Sequence, residues 1–257
     1  MDVSTWLASL PAIAVLAVAA WAVCTLRRNV GLVDIFWSLF FLLAAGSYAV
    51  AAAPAGPRTG LVLVLVTVWA VRLAAFLAAR NWNAPEDHRY QAIRARNQPH
   101  FEWKSLYLVF GLQGLLAWLV SAPLAAAVAS PAALGPLDWI GGLLVAFGIV
   151  FESVADAQLA RFRRDPASAG RVLDSGLWRW SRHPNYFGEC CVWWGFYLIA
   201  VAAGGAWTVF APLLMTLLLL RVSGVALLEK DIGERRPGYR AYVARTSAFI
   251  PRPPRDA

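Results

Sequence analysis

Seven apolar runs, separated by short polar turns, divide the chain: Trp6 to Leu26, Ile35 to Ala53, Leu61 to Ala79, Leu106 to Ala129, about Leu137 to Ala160, Cys191 to Ala203 and Trp207 to Leu228. Most approach the roughly 20 residues with which a helix crosses about 30 Å of hydrocarbon, while the sixth is short and ends at Gly204 and Gly205. Lipid offers no partners to backbone N–H and C=O groups, so such runs predict helices rather than open strands. The pattern predicts an all-α, polytopic integral membrane protein with seven transmembrane helices. It leaves no length for a separate soluble domain, so residues 1–257 are expected to form a single transmembrane domain.

Composition agrees, with 60% hydrophobic and 15% charged residues, far more apolar than a soluble core of this length requires. The net charge of +8 suits nucleic acid or a cytoplasmic membrane face, and the distribution of the basic residues decides for the membrane. Alternating the spans places all but Arg58 of the 23 Lys and Arg residues on one face or at its helix ends. The first run also lacks a basic segment before Arg27 and Arg28. Together these predict an N-terminus outside, a C-terminus in the cytoplasm and no nucleic-acid partner. Cys24, Cys190 and Cys191 imply no disulfide framework. His88, His100 and His183 have no metal-ligand spacing, and neither GxGxxG nor a P-loop is present, so no metal site is expected and a nucleotide would need another kind of cradle.

Ionisable residues inside apolar spans are costly and tend to face a cavity or a partner. Asp34 in GLVDIFW reads either as such a residue or as a helix N-cap, and Arg72 in WAVRLAAF reads as snorkelling to the interface. A denser group surrounds the stretch RVLDSGLWRWSRHPNYFGECC. Glu152, Asp156 and Arg163 lie close to one helix face, and Asn185 and Glu189 are one turn apart, so two helix ends are placed to converge on one polar ligand. The bland alternative is two separate interfacial salt-bridge sets. Pro184 suits a first helical turn, with Ser181 or Asn185 as cap. In the tail, Tyr239, Tyr242 and Arg245 follow Pro237 and Gly238, which suits an amphipathic helix on anionic lipid or a ligand with a base to stack and phosphates to bind.

SRHPNYFGE with the preceding Asp156 and Arg163, EDHRY in the third loop, and the closing LLEKDI and RPGYRAYVARTSAFIP resemble the steroid 5-alpha-reductase superfamily, in its bacterial branch labelled a domain of unknown function. The resemblance covers nearly the whole chain and is most specific from Glu152 to Pro251. It implies a multi-pass enzyme of the bacterial inner membrane, expected as a monomer, that binds NADPH at its cytoplasmic side. The implied reaction reduces the C4–C5 double bond of a 3-oxo-4-ene steroid or a related enone lipid. Residues 1–135 would then carry the substrate cavity and 136–257 the cofactor site. By position, the resemblance assigns the cofactor to Asp156, Arg163, Asn185 and Glu189, with Arg182, His183 and Tyr186 in the same motif and Arg221, Glu229, Tyr239 and Tyr242 in the tail. At the steroid end the family uses an acid and a tyrosine on the keto oxygen. Asp34 is the counterpart of the acid, the tyrosine position falls at Trp69, and Gln113 matches a position near the cavity. Desolvation would keep Asp34 protonated as the donor to the developing enolate.

A competing resemblance is to the isoprenylcysteine carboxyl methyltransferases, which use S-adenosylmethionine and share an RHPxYxG-like segment. Their paired glutamates have no match here, where Lys230 follows Glu229. A transporter is disfavoured by the gathering of polar residues at one membrane face and by the lack of an inverted repeat.

Overall fold

The computed structural model describes residues 3–53, 56–222 and 238–255, and among these the chain is all helical, without a strand. Five helices are long and apolar enough to cross a membrane: Val3–Leu26, Val30–Ala51, Pro57–Asn81, Phe101–Val120 and Pro136–Arg164. The sixth apolar run forms helix Pro184–Ala202, and the described part of the seventh is the shorter apolar helix Ala206–Arg221. The α-helices among the described residues are α1 (Val3–Leu7), α2 (Leu10–Leu26), α3 (Val33–Ala51), α4 (Pro57–Asn81), α5 (His88–Arg96), α6 (Phe101–Ser105), α7 (Leu112–Val120), α8 (Ala122–Val128), α9 (Pro136–Arg164), α10 (Pro184–Ala202), α11 (Phe210–Leu217) and α12 (Tyr239–Arg245). Prolines open α4, α9 and α10, where the missing N–H costs nothing. The fourth run is not one helix: it carries a π-helical stretch at Leu106–Gly111 and breaks at Ser121, ahead of Pro123.

The chain forms two compact units, Met1–Asp138 with Ile199–Thr208, and Trp139–Leu198 with Val209–Ala257. In the first, α3 is central and buries Phe40, Phe41, Ala44, Ala45 and Tyr48 completely. The Tyr48 hydroxyl accepts from Ser9 Oγ at 3.0 Å and lies 2.6 Å from Ser121 Oγ, so this polar group is satisfied inside the bundle. Trp6 and Trp118 stack at 4.3 Å, and each indole N–H donates to the other's carbonyl oxygen, at 3.2 and 3.1 Å. Arg58, the one basic residue that the charge pattern set apart, is 1% exposed. Its Nε and Nη2 donate to the two carboxylate oxygens of Asp138 at 2.7 and 2.9 Å, and its Nη1 donates to Ser130 Oγ at 2.8 Å. Arg72 is half-buried in α4.

In the second unit, α9 and α10 run antiparallel with their backbones nearly touching. A Cβ on Gly148 would stand 2.6 Å from the carbonyl oxygen of Gly188, and one on Gly195 would stand 2.7 Å from that of Gly141. Small residues at such crossings let membrane helices gain van der Waals contact that larger side chains would prevent. Gly148→Ala is therefore expected to lower stability by about 1–3 kcal/mol, the usual cost of overpacking. Gly46→Ala in α3, where nothing lies within 4 Å of the new methyl, should be neutral or slightly stabilising. Thermal unfolding of the two variants in detergent checks the contrast; equal melting temperatures would refute the tight crossing.

Candidate functional sites

In the first unit the site is built by the segment before and within α5. Asp87 caps α5, its Oδ1 accepting from Arg89 N at 2.9 Å. Glu86 Oε1 accepts from Val30 N at 2.7 Å, in the 3-10 turn that opens α3, and from Arg94 Nη2 at 2.8 Å. Asn29 Nδ2 donates to Ala84 O at 3.1 Å. These bonds lay α5 against the start of α3 and bring Tyr90, only 8% exposed, to Asp34. The Tyr90 hydroxyl donates to Asp34 Oδ1 at 2.6 Å, Arg89 Nη2 donates to Oδ2 at 3.3 Å, and Gln113 Nε2 donates to the Tyr90 hydroxyl at 3.2 Å.

This arrangement corrects two expectations about Asp34. It is not a helix cap, because its carboxylate is taken by Tyr90 and Arg89 rather than by backbone N–H groups of α3. Nor is it a solitary desolvated acid: its side chain is 24% exposed and ion-paired with Arg89. Burial first, and then the negative charge of Asp34, push the Tyr90 phenol well above its ordinary value. Burial opposes the charge of Arg89, but the hydrogen bond to Asp87 and the charges of Asp34 and Asp87 outweigh it and hold the guanidinium protonated. The same contacts hold Asp87 below the usual carboxylate range although burial alone would raise it. Trp69 is fully buried, its ring edge-on to Phe41 at 5.6 Å. The tyrosine beside the acid is Tyr90, contributed by a different element. Sequence reasoning quoted EDHRY without giving Tyr90 or Arg89 a role.

In the second unit, the close crossing of α9 and α10 sets Gly188 against Glu152 and puts Asn185 Nδ2 3.3 Å from Asp156 Oδ1, as a donor. Glu152, Asp156, Glu189 and His183 are all buried, and Glu189 Oε1 accepts from Trp193 Nε1 at 3.1 Å. Ser181 fills the capping role, its Oγ accepting from His183 N at 3.1 Å, and the His183 ring is parallel to that of Tyr186 with centroids 5.6 Å apart. Arg163 and Arg221 are exposed. Arg182 Nη1 donates to the carbonyls of Thr246 at 2.6 Å and Val243 at 3.3 Å, fastening the end of α12. Tyr242 is buried and donates to the carbonyl of Trp178, while Tyr239 packs beside it at 5.8 Å and Arg245 pairs with Asp174. Both rings are thus interior, not the solvated face of a helix on lipid. Glu229 lies outside the described residues. Among the described residues no cluster of His, Cys, Asp and Glu is arranged to hold a metal ion.

Residues 20–246 match the family described as protein of unknown function (DUF1295). The chain is also 30% identical, over 268 aligned residues, to an uncharacterized protein of Schizosaccharomyces pombe (C594.04c), covering 90% of this chain and 75% of that protein. No solved structure matches.

Proposed function

The chain belongs to the DUF1295 family, a steroid 5-alpha-reductase-like group, and from that membership and the Asp34 cluster we propose that it is an NADPH-dependent membrane oxidoreductase. Its reaction is reduction of the C4–C5 double bond of a 3-oxo-4-ene steroid or a related enone lipid. The observation that carries the reading is the buried Tyr90 hydroxyl, held between the Asp34 carboxylate and the Gln113 amide. With a ligand bound, such a hydroxyl can turn its hydrogen from Asp34, which keeps Arg89, to a carbonyl oxygen on which charge develops.

The cofactor, when bound, supplies a hydride to the β-carbon of the enone. On binding, Tyr90 turns its hydrogen from Asp34 to the carbonyl oxygen on which negative charge grows, while Asp34 keeps its ion pair with Arg89 and Gln113 Nε2 holds the phenol oxygen. The polar set of the second unit fits a dinucleotide in kind. Buried Asp156, Asn185 and Glu189 suit ribose hydroxyls and a carboxamide, and exposed Arg163 and Arg221 suit phosphates. Arg182 and Tyr242 support this set by holding the tail against the His183 stretch. Seven spans, with the basic loops and the C-terminus in the cytoplasm, complete the reading: helix Pro184–Ala202 and the run from Trp207 to Leu228 join the five long helices.

NADPH at a hundredfold excess over its dissociation constant is expected to stabilise the detergent-solubilised protein by about 2.7 kcal/mol, several degrees in melting temperature. Glu189→Gln should shrink that shift without lowering the melting temperature of the ligand-free protein. Stabilisation by S-adenosylmethionine in place of NADPH would support a methyltransferase instead.

A further inference from the structure

Gln113 is placed in the span Phe101–Val120 directly after the π-helical stretch Leu106–Gly111, a widened turn of a kind often found at functional sites. The hydrogens around it fix which way its amide points. Tyr90 has one hydroxyl hydrogen, and it goes to Asp34 at 2.6 Å. The phenol oxygen can then only accept, and it accepts from Gln113 Nε2 at 3.2 Å. Turning the amide over would press Oε1 against phenol lone pairs with no hydrogen between them. Gln113 Oε1 is consequently left buried with no hydrogen-bond partner in the protein, an acceptor that is costly to leave unmet away from water.

We infer that the ligand of the Asp34 site brings a hydroxyl for Gln113 Oε1, on the carbon next to a carbonyl to which Tyr90 turns its hydrogen, Asp34 then keeping Arg89. This rests on the enone reading above and narrows it to hydroxylated enones, because a lone keto group has no hydrogen to give. The neighbouring-carbon geometry follows from the amide: Nε2 and Oε1 share one carbon, so a ligand oxygen at the Tyr90 hydroxyl has its vicinal substituent within reach of Oε1. The donor is a neutral hydroxyl rather than an ammonium, since Arg89 already places a positive charge on Asp34.

The test measures binding of cholest-4-en-3-one and its 2α- and 2β-hydroxy derivatives to the detergent-solubilised full chain without cofactor. One hydroxy epimer should bind about tenfold more tightly than the parent, the effect of satisfying one buried acceptor. Gln113→Leu and Gln113→Met should each abolish the difference between that epimer and the parent, read as the ratio of the two affinities within one variant. Equal affinities of all three compounds for the unaltered protein would overturn the inference, because solvent would then be supplying the hydrogen. A preference that survives in both variants would overturn it as well, by placing the hydroxyl elsewhere. If none of the three binds, the 3-oxo-4-ene steroid form of the reading falls, and with it this narrowing.

Discussion

Tyr90→Phe is expected to lower kcat for enone reduction by about 10²–10³-fold, the range measured when a single oxyanion donor is removed, with KM and NADPH stabilisation nearly unchanged. The substitution keeps the buried ring and deletes only the hydroxyl. Asp34 retains Arg89, while Gln113 Nε2 loses the phenol oxygen, so the ligand-free protein should lose about 1–3 kcal/mol and still fold. The pH dependence sharpens the test. Burial and the charge of Asp34 raise the folded-state value of Tyr90 above its unfolded value of about 10, so its stabilising contribution is fully present below that pH. It is lost only as the pH rises through the higher folded value. The ratio of unaltered to Phe rates should therefore stay flat from about pH 6 to 9. A rate in the Phe variant close to that of the unaltered enzyme, measured by NADPH oxidation, would take Tyr90 out of the chemistry and return the proton to Asp34.

Arg58→Met should destabilise the first unit by about 3–5 kcal/mol, because it strands Asp138, which is 0% exposed, without its countercharge. With about 2–4 °C per kcal/mol for a chain of this size, the apparent melting temperature should fall by roughly 10 °C. The decisive comparison is Arg58→Met with Asp138→Leu, which removes both charges and should recover most of the loss, since a buried pair replaced by apolar residues is often neutral. The guanidinium also holds Ser130 Oγ at 2.8 Å and the carbonyl of Ala133 at 3.3 Å, so recovery falls short of complete. A single variant that melts with the unaltered protein would show that the pair does no stabilising.

The helices were legible because lipid-spanning runs are a one-dimensional property, and Arg58 was already conspicuous as the basic residue apart from the others. Asp156 and Asn185 were also placed on converging helix ends, and they lie 3.3 Å apart. The neighbour of Asp34 was not legible. Tyr90 reaches it across 56 positions because Glu86 binds Val30 N in the turn before α3 and Asp87 caps α5, a tertiary arrangement that no local spacing encodes. The family resemblance placed the tyrosine position at Trp69, which shares the bundle but packs on Phe41. Arg182 and Tyr242 show a different limit. An arginine and a tyrosine in sequence look alike whether their partner is a ligand or a backbone carbonyl, and here carbonyls of Thr246 and Trp178 receive them. The break at Ser121 was missed because composition stays apolar through Pro123.

The order of synthesis gives the tail fastening a further meaning. Tyr242, Thr246, Ser247, Phe249 and Arg252 bond to the stretch from Trp178 to Arg182, and they leave the ribosome some sixty residues after it. The approach to His183 therefore cannot take its final shape until that segment has been made, however early the helices before it insert. A chain lacking residues 238–255 would carry the five long spans and still lack the hydrogen bonds that shape the entry to α10.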